Sequence, residues 1–251
     1  MQPDDFEARM REHEYFHGLK LLPRTWCVIR VDGRSFSRFT EEHFEKPFDI
    51  RFHEAMVGTA TELLTEMQGV YGYTESDEIS ILLKPDWSLF DRELEKLVSI
   101  SAGIASANFA LKTGKAAHFD SRVWMAASFN EVVDYFRWRQ SDATRCALNG
   151  ACYWALRKEG KNESQATKEL KGQTVAFKNE LLFQRGINFN ELPAWQRRGV
   201  GLVWERYQKE ASNPLTGEKV LAERRRIAVV EELPMKDEYS AWLEKQLGSA
   251  A

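Results

Sequence analysis

Cysteine is scarce in this sequence. Cys27, Cys146 and Cys152 are the whole complement of 251 residues, none forms a CxxC pair, and an odd number leaves at least one thiol unpaired in a monomer. These spacings exclude a disulfide framework and a thiolate zinc site, and a reducing compartment, the cytoplasm, is the expected location. The five histidines, His13, His17, His43, His53 and His118, build no metal motif either. No segment approaches the roughly 20 apolar residues that span a bilayer, so no membrane partner is expected. The opening MQPDDFEARMREHEYF is acidic and lacks the apolar run of a secretory signal. Internal repeats and low-complexity tracts are missing. A net charge of −3 gives no overall attraction for a polyanion, although a local basic face would suffice.

What the sequence does have is apolar and aromatic mass: 43% hydrophobic residues and eight tryptophans, enough for one large domain or a domain with an attached lobe. Trp26–Val31 (WCVIRV) is a β-rich run that ends at Asp32-Gly33. Asp49 caps a helical pattern running to Met67, through Phe52, Met56, Ala60, Leu63 and Leu64. Short strands follow at Val70–Tyr73 and Ile79–Leu83, then a helix from Trp87 to about Leu111, a strand at Val123–Phe129, and helix again from Glu131 to Gly160. The order β-α-β-β-α-β predicts an α+β fold, a ferredoxin-like antiparallel sheet backed by two helices. Residues 130–251 read as a mainly helical extension with a late strand at Arg226–Val230, which divides the chain into a catalytic core, 1–129, and a C-terminal region, 130–251.

The stretch YGYTESDEISILL places Glu75, Asp77 and Glu78 in the hairpin between two strands. It reads either as a solvated acidic turn or as a cation site. The predicted topology sets the first strand antiparallel to the third, which brings Asp32 beside Asp77 and Glu78. Clustered carboxylates repel and lose solvation unless a cation neutralises them, and oxygen ligands of this kind suit Mg²⁺. Glu75, one residue out of step, is expected to face solvent. In RVDGRSFSRF, Gly33 allows backbone amides close to a phosphate, Arg34, Ser35 and Ser37 add donors, and Lys46 supplies charge from the next loop. A nucleoside triphosphate is the ligand that best uses both features.

VDGRSFSRF, YTESDEISILL, FDSRVW, DYFRWRQ, FKNELLF and NELPAWQRRG resemble, in order, motifs of the tRNA-histidine guanylyltransferase superfamily, across Trp26 to Val203. The resemblance implies a polymerase-like palm that adds nucleotides to a tRNA 5′ end in the 3′-to-5′ direction. By that match Asp32, the Gly33 carbonyl and Asp77 hold two Mg²⁺, with Asp32, Asp77 and Glu78 the catalytic carboxylates and Glu78 in support. Arg34, Ser35, Phe36, Ser37, Lys46 and Ser76 surround the triphosphate of ATP, GTP or another nucleotide. Arg30, Arg92, Lys96, Arg122, Lys178 and Asn179 match further phosphate or tRNA contacts. The family also implies a homotetramer that binds the tRNA acceptor end across subunits.

One stretch departs from the family pattern. Histidine-specific eukaryotic members carry a histidine and paired asparagines after WRQ-x-D; this chain has Thr144 and Cys146-Ala147 there. The departure favours the bacterial and archaeal guanylyltransferase-like branch, which repairs 5′-truncated tRNAs by template-directed addition after a nucleoside triphosphate activates the 5′ phosphate. The alternatives are addition of the −1 guanosine to histidine tRNA and a palm-fold nucleotide cyclase, which would need no tRNA. Positive charge is enriched between Arg157 and Arg226, where Lys178, Arg185, Arg197, Arg198 and Arg206 are candidates to line an RNA groove. Trp138 is a candidate base-stacking residue, but its spacing with Tyr135 and Phe136 favours packing. Cys27 and Cys152 read as packed thiols.

Overall fold

Strand and helix order follow the alternation of apolar runs and turn residues from the first strand onward. In the computed structural model, which describes residues 3–212 and 219–248, a short helix α1 (Pro3–Arg11) precedes β1 (Trp26–Gly33). Then come α2 (Phe36–His43), α3 (Ile50–Glu66), β2 (Tyr71–Glu75), β3 (Glu78–Leu83), α4 (Leu94–Thr113) and β4 (Phe119–Ala126). The second half contains α5 (Phe129–Lys158), α6 (Glu163–Leu170), α7 (Val175–Phe183), α8 (Ala194–Arg198), β5 (Val200–Ser212), β6 (Lys219–Val230) and α9 (Lys236–Leu247). All neighbouring strands are antiparallel in the order β4-β1-β3-β2-β5-β6. The first four strands are the expected β-α-β-β-α-β unit.

Both faces of this sheet are covered, which is why β1 and β3 are nearly continuous apolar runs rather than alternating ones. On one face Ile29, Val31, Ile79 and Ile81 pack against Met56, Leu63 and Leu64 of α3 and Leu97 and Phe109 of α4. On the other, Val28, Tyr71, Tyr73 and Leu82 meet Val132, Tyr135 and Phe136 of α5 and Tyr239 and Leu243 of α9. The buried hydroxyls of Tyr71 and Tyr239, 2.9 Å apart, satisfy each other across 168 residues of sequence. A third cluster joins the distal half of α5 (Leu148, Cys152, Leu156) to α6 and α7.

Local chemistry explains the element ends. Asp49 accepts the Arg51 amide at the start of α3, and Ser128 and Glu131 form a capping box on α5. The helix expected from Trp87 starts later, at Leu94. Phe90, Asp91 and Arg92 all have positive φ, and the Arg92 guanidinium gathers the Leu22, Pro85 and Trp87 carbonyls into a tight 3-10 turn. β4 likewise begins at Phe119, four residues before the expected start.

The C-terminal region is predominantly helical, as expected, but a long ribbon, β5–β6, extends the sheet, and the expected strand at Arg226–Val230 is only its last part. Ion pairs across the ribbon, Arg206 with Glu223 and Arg226 with Glu205, replace the apolar alternation that marks a buried strand. Among the described residues no helix is long and apolar enough to cross a membrane.

Candidate functional site

The register of the sheet builds the site. Asp32, at the end of β1, lies opposite Glu78 at the start of β3 and opposite Asp120 on β4. The Gly33 amide donates to the Asp77 carbonyl at 3.1 Å, fastening the end of β1 to the β2–β3 turn. Asp32, Asp77 and Glu78 are thus brought together as the topology requires. A Cβ at Gly33 would sit 2.4 Å from the Phe36 ring, so this turn closes only around glycine.

The carboxylates divide by partner. Glu78 is held by a buried two-pronged contact from Arg139, with Nε and Nη2 donating to its two oxygens at 2.7 Å each. Arg139 also reaches Asp142 at 3.2 Å and Glu75 at 3.5 Å. Glu75 does not face solvent as expected: its side chain is 10% exposed, packed beside Glu78 around the same guanidinium. Burial, with the Glu78 charge, pushes the Glu75 carboxyl up to about 8. Asp77 is raised to about 6 by burial and by Asp32, and Asp32 is raised by burial and by Asp120. Among the described residues no cluster of three or more His, Cys, Asp or Glu has metal-holding geometry. The Asp32–Asp77 pair nevertheless has the donor chemistry for Mg²⁺, a hard cation that keeps several waters and takes phosphate oxygens beside one or two carboxylates. Arg139 was not singled out from the sequence. The available signal was a charged residue on the apolar face of DYFRWRQ, which demands a buried counter-charge.

A cavity of about 540 Å³ opens beside Asp77. Ser37, Lys46, Ser76 and Asp77 line it, together with the aromatic residues Phe48, Tyr153, Trp154 and Trp195. The Lys46 ammonium donates to Thr40 Oγ1 and lies 5.7 Å over the Trp154 ring; burial lowers its proton affinity, against the pull of Asp77 and Glu41. Arg34 and Ser35 are exposed in the turn before α2, where Ser35 adopts the left-handed region and leaves the helix N-terminus without a side-chain cap. Uncapped first-turn amides there are anion-binding groups. Ser76 also has positive φ, so both turns that bracket the carboxylates hold strained serines. Phe36 is a core residue, 3% exposed, and its ring meets Phe39, Phe109 and Phe119. It also lines the cavity.

The expected outer phosphate contacts do not converge on the cavity as a group. Arg197 lines it, while its Nε donates to the Leu192 carbonyl. Arg198 donates Nη1 to the Leu233 carbonyl and holds a buried, unpartnered Nε. The two terminal nitrogens of Arg92 serve backbone carbonyls, as described, which makes it a structural clasp. Lys96 pairs with Glu93, Arg122 with Asp120, and Arg30 lies 3.8 Å from Glu78. Lys178 and Asn179 lie on α7, and Asn179 lines a separate hollow of about 220 Å³. Arg185 is tied to Glu159 and Arg206 to Glu223. Thr144 donates to the Arg197 carbonyl at 2.9 Å, joining α5 to α8, and Cys146 lines the cavity.

Comparison with known proteins agrees with this architecture. The family model described as tRNAHis guanylyltransferase matches residues 7–133, and that of the Thg1 C terminal domain matches residues 130–239. The chain is 36% identical over 217 residues to tRNA(His) guanylyltransferase 1 of Arabidopsis thaliana, covering 80% of this chain and 37% of the plant protein. It is 36% identical over 198 residues to a probable tRNA(His) guanylyltransferase of Drosophila melanogaster, covering 74% and 69% of the two chains. A bacterial tRNA(His) guanylyltransferase (Thg1)-like protein superposes with a TM-score of 0.74 in complex with ATP and 0.72 in complex with GTP. Its identity to this chain is 29%, and the ATP complex covers 95% of this chain and 97% of the bacterial one.

Proposed function

The chain belongs to the tRNAHis guanylyltransferase family, and on that premise we propose that it is a nucleotidyltransferase that adds guanylate to the 5′ end of histidine tRNA, using ATP and GTP. The observation that carries this reading is the Asp32–Asp77 pair beside a cavity furnished with Lys46, Ser37 and Ser76. The names of the curated relatives and the nucleotides bound by the bacterial homologue support it.

Two transfers form the new linkage, after which the added nucleotide still carries its own 5′ triphosphate. The tRNA 5′ monophosphate attacks the α-phosphorus of a nucleoside triphosphate and displaces pyrophosphate, leaving an activated 5′ end. The 3′-hydroxyl of an incoming nucleotide then attacks that 5′ phosphorus and releases the activating nucleoside monophosphate. In this scheme Lys46, Ser37, Ser76 and the α2 N-terminus would hold the triphosphate, while Asp32 and Asp77, with the Gly33 carbonyl, would be the ligands for two Mg²⁺. Bound Mg²⁺ would polarise the phosphoryl oxygens and neutralise charge that develops on them. Arg139 occupies Glu78 directly with two short contacts, so Asp32 and Asp77 are the carboxylates that would be left to that cation.

A second reading rests on one specific observation. Thr144, Cys146 and Ala147 stand where histidine-specific members have a histidine and asparagines, and Thr144 is engaged with the protein's own Arg197 carbonyl. This favours template-directed repair of 5′-truncated tRNAs, in which pairing with the opposite acceptor base selects the nucleotide. The test uses 5′-truncated, monophosphorylated histidine and non-histidine tRNAs, each with its opposite base changed, and maps the 5′ ends. Addition confined to histidine tRNA and dependent on its anticodon supports the first reading; broad addition that follows the swapped base supports the second. No addition to any tRNA, with nucleotide cyclised instead, would defeat both. We further propose a homotetramer, to be checked by sedimentation with and without tRNA.

A further inference from the structure

The nucleotide cavity accounts for one of the two substrates. Asp77 lines it, but Asp32, Arg30, Arg122 and Trp138 do not. A transfer centred on Asp32 and Asp77 therefore has a second approach, from the Asp32 side. Arg30 and Arg122 are register partners on β1 and β4 there, and β4 is an edge strand with no described strand on its outer side. Trp138 completes this side.

Trp138 does not pack as its spacing suggests. Its neighbours Tyr135 and Phe136 are buried, yet Trp138 is 53% exposed, the one tryptophan among the exposed large apolar side chains of the described residues. The indole lies 4.6 Å from the Arg139 guanidinium and 5.7 Å from that of Arg30, with Tyr135 edge-on at 5.8 Å. Both arginines also reach Glu78, which faces Asp32 across the sheet. The exposed ring is thus held in place by groups that touch the carboxylate centre. Fixing a large aromatic surface in water beside that centre has no use in the core.

Resting on the nucleotidyltransferase reading, we propose that Trp138 is the stacking surface for the terminal base of a 5′-phosphorylated RNA strand, with Arg122 beside it to meet backbone phosphate. A fixed aromatic face flanked by guanidinium groups suits a nucleobase, because stacking tolerates any base while the cations meet the phosphates. Arg122 is 53% exposed and pairs with the surface carboxylate of Asp120, a contact that solvent weakens and phosphate can displace. The triphosphate would enter from the Asp77 side and the RNA end from the Asp32 side, so the two reacting groups meet between the carboxylates.

The test uses RNA carrying a 5′ phosphate and 2-aminopurine as its first base. Its fluorescence should be quenched on binding to the wild-type protein and to Trp138→Phe, and should stay bright with Trp138→Leu. Steady-state rates should show KM for the RNA raised about 5- to 100-fold in Trp138→Leu, the range set by loss of one base–aromatic stack. KM for the nucleoside triphosphate should change less than about twofold. Arg122→Ala should flatten the salt dependence of RNA binding. Phe and Leu both fill space, so equal RNA affinity and equal quenching in the two variants would overturn the proposal. If the wild-type protein transfers nucleotide and the variants do not differ, the stacking surface falls and the enzymatic reading stands. If quenching depends on Trp138 but no RNA is extended, the surface stands and the enzymatic reading falls.

Discussion

At the residue scale the site is a problem of uncompensated charge. Glu78 has Arg139 in direct contact, whereas Asp77 is buried beside Asp32, and Asp32 lies beside Asp120 with Arg122 and Arg30 only partly offsetting its burial. Asp32→Asn and Asp77→Asn should each fold and lose at least about 100-fold in nucleotide addition, since several kcal/mol of charge stabilisation disappears with an anionic ligand. Circular dichroism and product formation on each variant check this. The sign of the pH effect follows from the raised Asp77 value. A carboxyl lifted from 3.8 to about 6 on folding stabilises the protein most below pH 3.8 and loses that contribution as pH rises through 6. Metal-free Asp77→Asn should therefore melt higher than wild type above pH 6. In the wild type, the rise in Tm on adding Mg²⁺ should grow between pH 5 and pH 7, because the cation competes with the proton. A Mg²⁺-induced shift that is flat over this range would remove Asp77 from the ligand set. Glu75, raised from 4.5 to about 8, gives a second step: stability lost as pH rises from about 4.5 through 8, which Glu75→Gln lacks.

At the element scale α5 carries most of the coupling. It contributes Tyr135 and Phe136 to the core under the sheet, Arg139 to the carboxylates, and Cys146 and Trp154 to the cavity. Arg139→Ala would leave Glu78 buried without its counter-charge, a loss of about 3–5 kcal/mol at neutral pH. Denaturant melts should show that deficit shrinking on acidification, as Glu78 protonates. A deficit independent of pH would mean that Arg139 acts by packing alone. The elements differ in how plainly the sequence announces them. β1, α3, β3 and α5 are legible because burial forces apolar periodicity on them, and the Asp32–Asp77 approach follows from strand order alone. The helix α2 is not, because its eight residues give too few turns for a period to show. Half-exposed β5 and β6 hold together by charge pairs, so their alternation is hidden among charged residues. The inward turn of Glu75 is set by Arg139, 64 residues away, and nothing local encodes it.

At the scale of the whole molecule, the core is continuous across residue 129. Trp26, Val28, Tyr71, Tyr73 and Leu82 of the sheet are buried by Val132, Tyr135 and Phe136 of α5 and by Tyr239, Leu243 and Leu247 of α9. β2 also depends on β5 as its neighbour. Gly199 marks how closely the halves meet: at φ 72 it admits a left-handed turn, and a Cβ there would lie 2.5 Å from the Tyr73 hydroxyl, which donates to the Arg198 carbonyl. Residues 1–129 alone would thus keep the α3–α4 face of the sheet and expose the other, a large apolar surface that soluble monomers do not tolerate. The expected outcome is an aggregated or molten product for 1–129, seen as dye binding and lost near-ultraviolet circular dichroism, with co-expression of 130–251 restoring a native spectrum. Gly199→Ala in the full chain should weaken the same junction, lowering Tm without touching the carboxylates. Were 1–129 to fold cooperatively alone and bind nucleotide, the second half would be an accessory to the site. The packing of α5 and α9 makes it part of the site's foundation, because the strands that aim Asp32 and Asp77 are fixed from both faces.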